Sequence, residues 1–258
     1  PRLVETPAGL LNAIGLENVG VEAFIAEKLP ALRALQVPVV ANIFGETVEE
    51  FCAIARRLEE ACGVSAIEMN VSCPNVARGG MAFGTSACMT AEVVSAVRKA
   101  IRLPLIVKLT PNVTDIGEIA RSAAGEGADG ISLINTILGM AVDVQARRPA
   151  LGNVTGGLSG PAIKPVAVRM VWEVARAVAV PVIGIGGIST GEDALEFIIV
   201  GASAVQVGTA TFAVPDASIR VLEGIEAYCR EHGVRQLSEL VGSLRLDGPC
   251  GANCGRAS

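Results

Sequence analysis

The stretch "VPVIGIGGIST" (180–190) decides the fold. It starts with Pro181 behind a valine, runs apolar through Ile185, and ends on Gly186 and Gly187 before small hydroxyl residues. A short apolar run between a proline and a glycine pair fits a strand buried on both faces. Proline is tolerated at a strand's first residue, where its missing N–H breaks no ladder bond. The glycine pair lets the backbone turn sharply and come close to a ligand.

Five similar runs lie outward from this one: "VPVVANI" (37–43), "VSAIEMN" (64–70), "LPLIVKL" (103–109), "ADGISLIN" (128–135) and "ASAVQVGT" (202–209). Helical patterns separate them. In "TVEEFCAIARRLEEAC" (47–62), apolar residues recur at 3–4 spacing behind a Thr47 N-cap, with Glu50 at the capping-box position. "TDIGEIARSAAGEG" (114–127) ends in glycine. Strand–helix alternation means a parallel sheet with right-handed crossovers. The strand starts alternate too: Pro38, Pro104 and Pro181 open the odd strands, and Gly63, Gly127 and Gly201 the even ones. The repeating unit is a pair of βα modules.

Four such pairs make a (β/α)8 TIM barrel, whereas a doubly wound open sheet can stop at six strands. The polar and glycine signals all fall at C-terminal strand ends ("ANIFG", "MNVSCPN", "KLTPN", "INT", "GIGG", "VGT"). Convergence on that face favours the barrel, with about six of its eight βα units in this chain. The expected domain is 1–246, with roughly fifty or more residues of barrel lying upstream of Pro1. "LGMAVDVQARRPALGNVTGGLSG" (138–160) is too long for an ordinary βα loop and reads as a hairpin inserted over the barrel mouth. The polar tail, 247–258, reads as disordered.

The chain of 258 residues is 51% hydrophobic but only 3% aromatic, so its core is aliphatic. A net charge of −5 without a basic cluster gives nucleic-acid binding no support. No apolar run is long enough to span a bilayer. Seven cysteines without a framework suggest free thiols in a reducing cytoplasm. Cys250 and Cys254 alone cannot complete a zinc or iron–sulfur site, and no metal site is expected.

The loops after the last two strands, with Gly186, Gly187, Gly208 and Thr209, suit a phosphate cradled by backbone N–H groups. A phosphorylated substrate or a nucleotide such as flavin mononucleotide would both fit. Lys108, inside "LIVKL", either snorkels to the rim or sits beside an anionic group such as a reduced flavin ring or a phosphate. Asn12, Asn70, Asn75 and Asn135 stand at strand or loop ends. Amides both donate and accept, as a flat ring alternating carbonyl and N–H requires. His232 is the only histidine and lies far along the chain, so a Cys–His or Ser–His–Asp arrangement is unavailable. Cys73, in a polar loop before Pro74, is then the candidate general base. Cys52, Cys62 and Cys229 read as small buried hydrophobes.

Taken in order, "NAIGLENVG" (12–20), "NVSCPN" (70–75), "VKLTPNVTDI" (107–116), "INTILGM" (134–140), "GGLSGPAIKPVA" (156–167), "GIGGI" (184–188) and "VGTATF" (207–212) resemble the class 1 dihydroorotate dehydrogenases. "NVARGGMAFGT" (75–85) and "TGGLSGPAIKP" (155–165) look like the NAD-linked class 1B type. The resemblance implies a cytoplasmic flavoenzyme of pyrimidine biosynthesis. Cys73 would take the C5 proton of dihydroorotate while a hydride leaves C6 for flavin mononucleotide. Asn12, Ala13, Ile14, Gly15, Leu16, Asn70, Asn75, Asn135 and Thr136 would hold the substrate. Asn42, Asn70, Lys108, Ile134, Gly160, Gly186, Gly187, Gly208 and Thr209 would contact the flavin, and 76–86 would be a lid. It also implies a partner chain carrying FAD and a 2Fe–2S cluster, passing electrons to NAD within a heterotetramer. The rivals are a class 1A-like or dihydropyrimidine-type flavin dehydrogenase with another acceptor, an inactive truncated flavin-binding subunit, and a flavin-free phosphate-binding barrel.

Overall fold

The computed structural model describes residues 1–72, 74–75 and 81–246. The chain opens with a hairpin, β1 (Leu3–Thr6) and β2 (Gly9–Asn12). A helical passage follows: α1 (Val21–Ala23), a π-helical turn (Phe24–Lys28) and α2 (Leu29–Ala34). Next come β3 (Val40–Ile43), α3 (Val48–Glu60), β4 (Ala66–Asn70), the two-residue strands β5 (Pro74–Asn75) and β6 (Met81–Ala82), and α4 (Ala87–Ala100). Then follow β7 (Leu105–Lys108), α5 (Ile116–Gly125), β8 (Gly130–Leu133) and the short strands β9 (Ile137–Gly139), β10 (Val142–Asp143), β11 (Arg148–Pro149) and β12 (Gly156–Ser159). The chain continues through α6 (Lys164–Ala177), β13 (Val182–Ile185), α7 (Gly191–Ile199), β14 (Ala204–Gln206), α8 (Ala210–Ala213) and α9 (Ala217–Glu231).

The six strands expected from sequence form one parallel sheet in the order β3, β4, β7, β8, β13, β14. Successive strands are neighbours throughout, without the reversal that defines a doubly wound sheet. The fold is a partial (β/α)8 barrel. β7 and β13 begin just after Pro104 and Pro181, and β3 two residues after Pro38, because proline donates no ladder bond. At the other three starts Gly63, Gly127 and Gly201 have φ of 118°, 95° and 127°, a region closed to most side chains.

Helix α3 begins where expected, with the Thr47 hydroxyl accepting from the Glu50 N–H. The second half of the capping box does not form, because the Glu50 carboxylate takes the Glu46 N–H instead. Cys52 is buried as expected; Cys62 is exposed in the turn after α3, and Cys229 is half-buried. The segment 138–160 does contain a hairpin, β10–β11. Its flanks β9 and β12 join a four-stranded antiparallel sheet in the order β1, β2, β12, β9. Nothing in the sequence pattern marked β1 and β2 as strands. Each is four residues long, and the partner β12 lies some 145 positions downstream of β2, so no local periodicity reports the pairing.

The core lies between sheet and helices. Ile67, Met69, Leu105, Val107, Ile131 and Leu133 are fully buried there. Gly184 leaves space on β13 for the buried ring of Phe197: a Cβ at Gly184 would lie 2.5 Å from that ring.

Candidate active site

Alternate residues of the sheet face inward. Asn42 on β3 lies opposite Glu68 on β4, Asn70 opposite Lys108 on β7, and Lys108 opposite Ser132 on β8. Glu68, 4% exposed, is the centre of this face. Its Oε1 accepts from the Ser132 hydroxyl at 2.7 Å and the Gln206 amide at 2.8 Å. Its Oε2 accepts from the Asn42 amide at 2.5 Å and forms an ion pair with Lys108 at 3.5 Å. Burial pushes the Glu68 carboxyl up. Lys108, followed by the bonds from Gln206, Ser132 and Asn42, more than offsets this and holds it below the usual carboxylate range. Lys108 thus has a carboxylate partner within the protein, which the sequence reading did not foresee.

Beyond this layer, at the C-terminal ends of the strands, opens a cavity of about 840 Å³. Lys108, Ile134, Asn135, Thr136, Gly160, Gly186, Gly187, Gly208 and Thr209 all line it, joined by Gln206, Ser159, Ser189 and Arg220. Ile134 follows a cis peptide bond. Gly187 has φ 75°, and a Cβ there would lie 2.8 Å from the Gly160 carbonyl oxygen, so only glycine fits. A clamp holds this loop from behind. The Asp193 carboxylate accepts from the Ser189 and Thr190 N–H groups, both at 2.9 Å, and from the Lys164 ammonium at 2.6 Å. Lys164 also bonds Glu196. The N–H groups of Ser189 and Thr190 are thereby committed to Asp193, although both residues line the cavity beside Gly186 and Gly187.

Among the described residues, Asn135 is the only predicted asparagine that lines the cavity, and Asn70 reaches it through Asn135. The Asn135 amide donates to Asn70 Oδ1 at 3.2 Å and to the Ser72 hydroxyl at 3.0 Å. Asn70 Oδ1 also takes the Ser72 N–H, and Asn135 Oδ1 the Thr136 N–H. The Asn112 amide donates to the Thr136 carbonyl oxygen, fixing that turn. Asn12, at the end of β2, donates to the Gly157 carbonyl oxygen, next to Thr136. Ala13, Ile14, Gly15 and Leu16 follow on a surface loop, exposed from Ile14 onward, and do not line the cavity. Asn42 also stands off the cavity and reaches it only through Glu68 and Lys108. Cys73 and 76–80 lie outside the described residues, as does the tail 247–258. Asn75 is placed by its backbone alone, paired with Met81. The far end of the expected lid is an anchor, since Phe83 and Gly84 are buried against the core.

The sequence reading missed Glu68, Ser132, Gln206, Asn112 and the Lys164–Asp193 clamp. Glu68 was detectable as the one acid inside the apolar run "AIEM" (66–69), two positions from Asn70 and therefore on its face. Ser132 and Gln206 carried no such mark, since small and amide residues occur in strands without function.

The cavity can take a planar ring and a phosphate: it falls in the size range of small-molecule sites, with a cation, a glycine wall and paired amides around it. Among the described residues no cluster of His, Cys, Asp or Glu could hold a metal ion. None of the helices there is long and apolar enough to cross a membrane. The family model for dihydroorotate dehydrogenase matches residues 1–228. A protein of Pelobacter propionicus named dihydroorotate dehydrogenase B (NAD(+)), catalytic subunit, is 59% identical over 95% of this chain and 80% of its own length. Relatives with the same name from Geotalea uraniireducens and Trichlorobacter lovleyi are each 58% identical over the same shares. These names agree with the NAD-linked type that the motifs resemble. With a match of this extent, the chain belongs to the dihydroorotate dehydrogenase family.

Proposed function

We propose that this chain oxidises dihydroorotate to orotate in pyrimidine biosynthesis, with flavin mononucleotide in the strand-end cavity, as the catalytic subunit of an NAD-linked enzyme. The observation that carries this is the convergence on one cavity of Lys108, the Gly186–Gly187 wall, Gly208–Thr209 and Asn135, the last bonded to Asn70 behind it, in a chain of this family. When bound, the flavin would accept the hydride from C6 of the substrate. Gly160, Gly186, Gly187, Gly208 and Thr209 would admit its phosphate and Ile134 would flank it. Lys108, oriented by Glu68, would place a positive charge beside it. Asn70, Asn135 and Thr136, with Asn12 and Asn75, would fix the pyrimidine ring by amide bonds, and Ala13–Leu16 would complete the substrate side. Cys73 would take the C5 proton, its thiol tuned toward the thiolate. Holding ring and base in register can supply several kcal/mol of the barrier reduction.

The relatives are named as a "catalytic subunit", which supports a second chain. We assign it FAD and a 2Fe–2S cluster, with NAD as final acceptor, in a cytoplasmic heterotetramer. Leu138, Met140, Val142 and Val144 on the mouth sheet and its hairpin are exposed apolar residues of the kind such a partner covers. The test is the absorbance spectrum of the purified protein before and after anaerobic dihydroorotate, with Cys73→Ala alongside. A yellow protein that bleaches with substrate, at least a hundredfold more slowly without the thiol, is the expected result. A yellow protein that ignores dihydroorotate would overturn the substrate, and a colourless one the flavin.

A further inference from the structure

The inner face contains a charge that the proposed chemistry does not itself require. Glu68 sits in a strand buried at every residue, where an unpaired carboxylate is prohibitively costly. Donors from four other strands meet it: Asn42 from β3, Lys108 from β7, Ser132 from β8 and Gln206 from β14. A fold needing only stability could fill this layer with aliphatic side chains, as other barrels do. Here the polar centre is joined to two residues that line the cavity, Lys108 and Gln206.

We infer that Glu68 is a positioning residue for the flavin pocket, aiming Lys108 and Gln206 at the cavity floor and counterbalancing the Lys108 charge so as to hold down the reduction potential of the bound flavin. The inference rests on the flavin assignment made above. The physics is direct. Reduction adds negative charge to the flavin, and an unbalanced lysine in a poorly solvated wall stabilises that charge more than a lysine already paired with a carboxylate. Glu68→Gln keeps the size of the side chain and one accepting oxygen but removes the charge.

The measurement is the midpoint potential of the flavin bound to the purified protein, for wild type, E68Q and E68D. Expected in E68Q is at least tenfold tighter binding of reduced relative to oxidised flavin, an upward shift of about 30 mV. E68D, which keeps the charge, should stay within threefold of wild type. An E68Q protein that melts earlier yet shows the wild-type potential would make Glu68 a structural staple only and overturn the inference. If E68Q does not fold, Lys108→Gln and the neutral double variant E68Q/K108Q decide. The potential should fall in the first and return toward wild type in the second. A double variant indistinguishable from K108Q would overturn the inference as well. Wild-type protein that takes up no flavin would remove the cofactor assignment itself, and this inference with it.

Discussion

On its outer face the parallel sheet presents Ile67, Met69, Leu105, Val107, Ile131 and Leu133 to the helices. On its inner face, one residue along, it presents Asn42, Glu68, Lys108, Ser132 and Gln206 to one another. The same strands carry both sets, since side chains alternate with period two. The outer face is held by area removed from water, about 25 cal/mol per Å², without regard to direction. The inner face is held by a few bonds whose donors must each point at one carboxylate. The outer face therefore supplies stability, and the inner one fixes where charges and amides stand.

The largest effect should come from breaking the outer face. Phe197→Ala removes a fully buried ring that fills the space left by Gly184. A loss of about 3–5 kcal/mol is expected in urea unfolding. A smaller cost would mean that α7 settles onto β13 and closes the gap. On the inner face Ser132→Ala deletes one donor to a buried carboxylate and should cost about 1.5–3 kcal/mol. It should also weaken flavin uptake, which the Phe197 variant, when folded, should not. If both variants lowered flavin affinity in proportion to stability, the division between the faces would fail.

The clamp behind the cavity gives a pH signature. Burial raises the Asp193 carboxyl, but the bonds from Lys164, Ser189 and Thr190 prevail and hold it low. An unfolded aspartate titrates near 3.9. The stability Asp193 contributes is thus present above about pH 4 and is lost as pH falls through the lower folded value. Melting curves of wild type and Asp193→Asn should lie apart at pH 7 and converge below about pH 4. A gap constant with pH would show that the charge of Asp193 is not what holds the loop. Lys164 has the opposite sign. The bonds to Asp193 and Glu196 raise its pKa, so its contribution is present below about pH 10.4 and lost as pH climbs through the higher folded value. The smallest effect belongs to the solvent side of α6. Arg169→Ala breaks an exposed i,i+4 pair with Glu173 and should cost less than about 0.5 kcal/mol.

Much of this was legible in the chain. The six sheet strands, the proline and glycine starts, and the glycines of the last two loops depend on local patterns that a linear sequence displays. The clustering of Lys108 and Asn135 with the later glycines followed from a shared strand-end position, whereas Thr136 and Gly160 were named from the family resemblance alone. Asn70 and Asn135 were both singled out at strand ends, but their contact across the intervening β7 was not foreseen. Asn42 and the loop Ala13–Leu16 were also named from the resemblance. Yet the structure holds Asn42 one contact away, on Glu68, and leaves Ile14–Leu16 in solvent.

By itself the sequence determined the alternation of strands and helices, the aliphatic character of the sheet and the glycines that only a tight turn can use. Each is set by a residue's own backbone freedom or by its neighbours within a turn. Only the tertiary structure decided that a hairpin at the start of the chain pairs with β12, that Asp193 consumes two amides of the glycine loop, and that one glutamate joins five strands. These depend on partners such as Asn12 and Gly157, 145 positions apart, whose meeting is fixed by register and closure of the sheet.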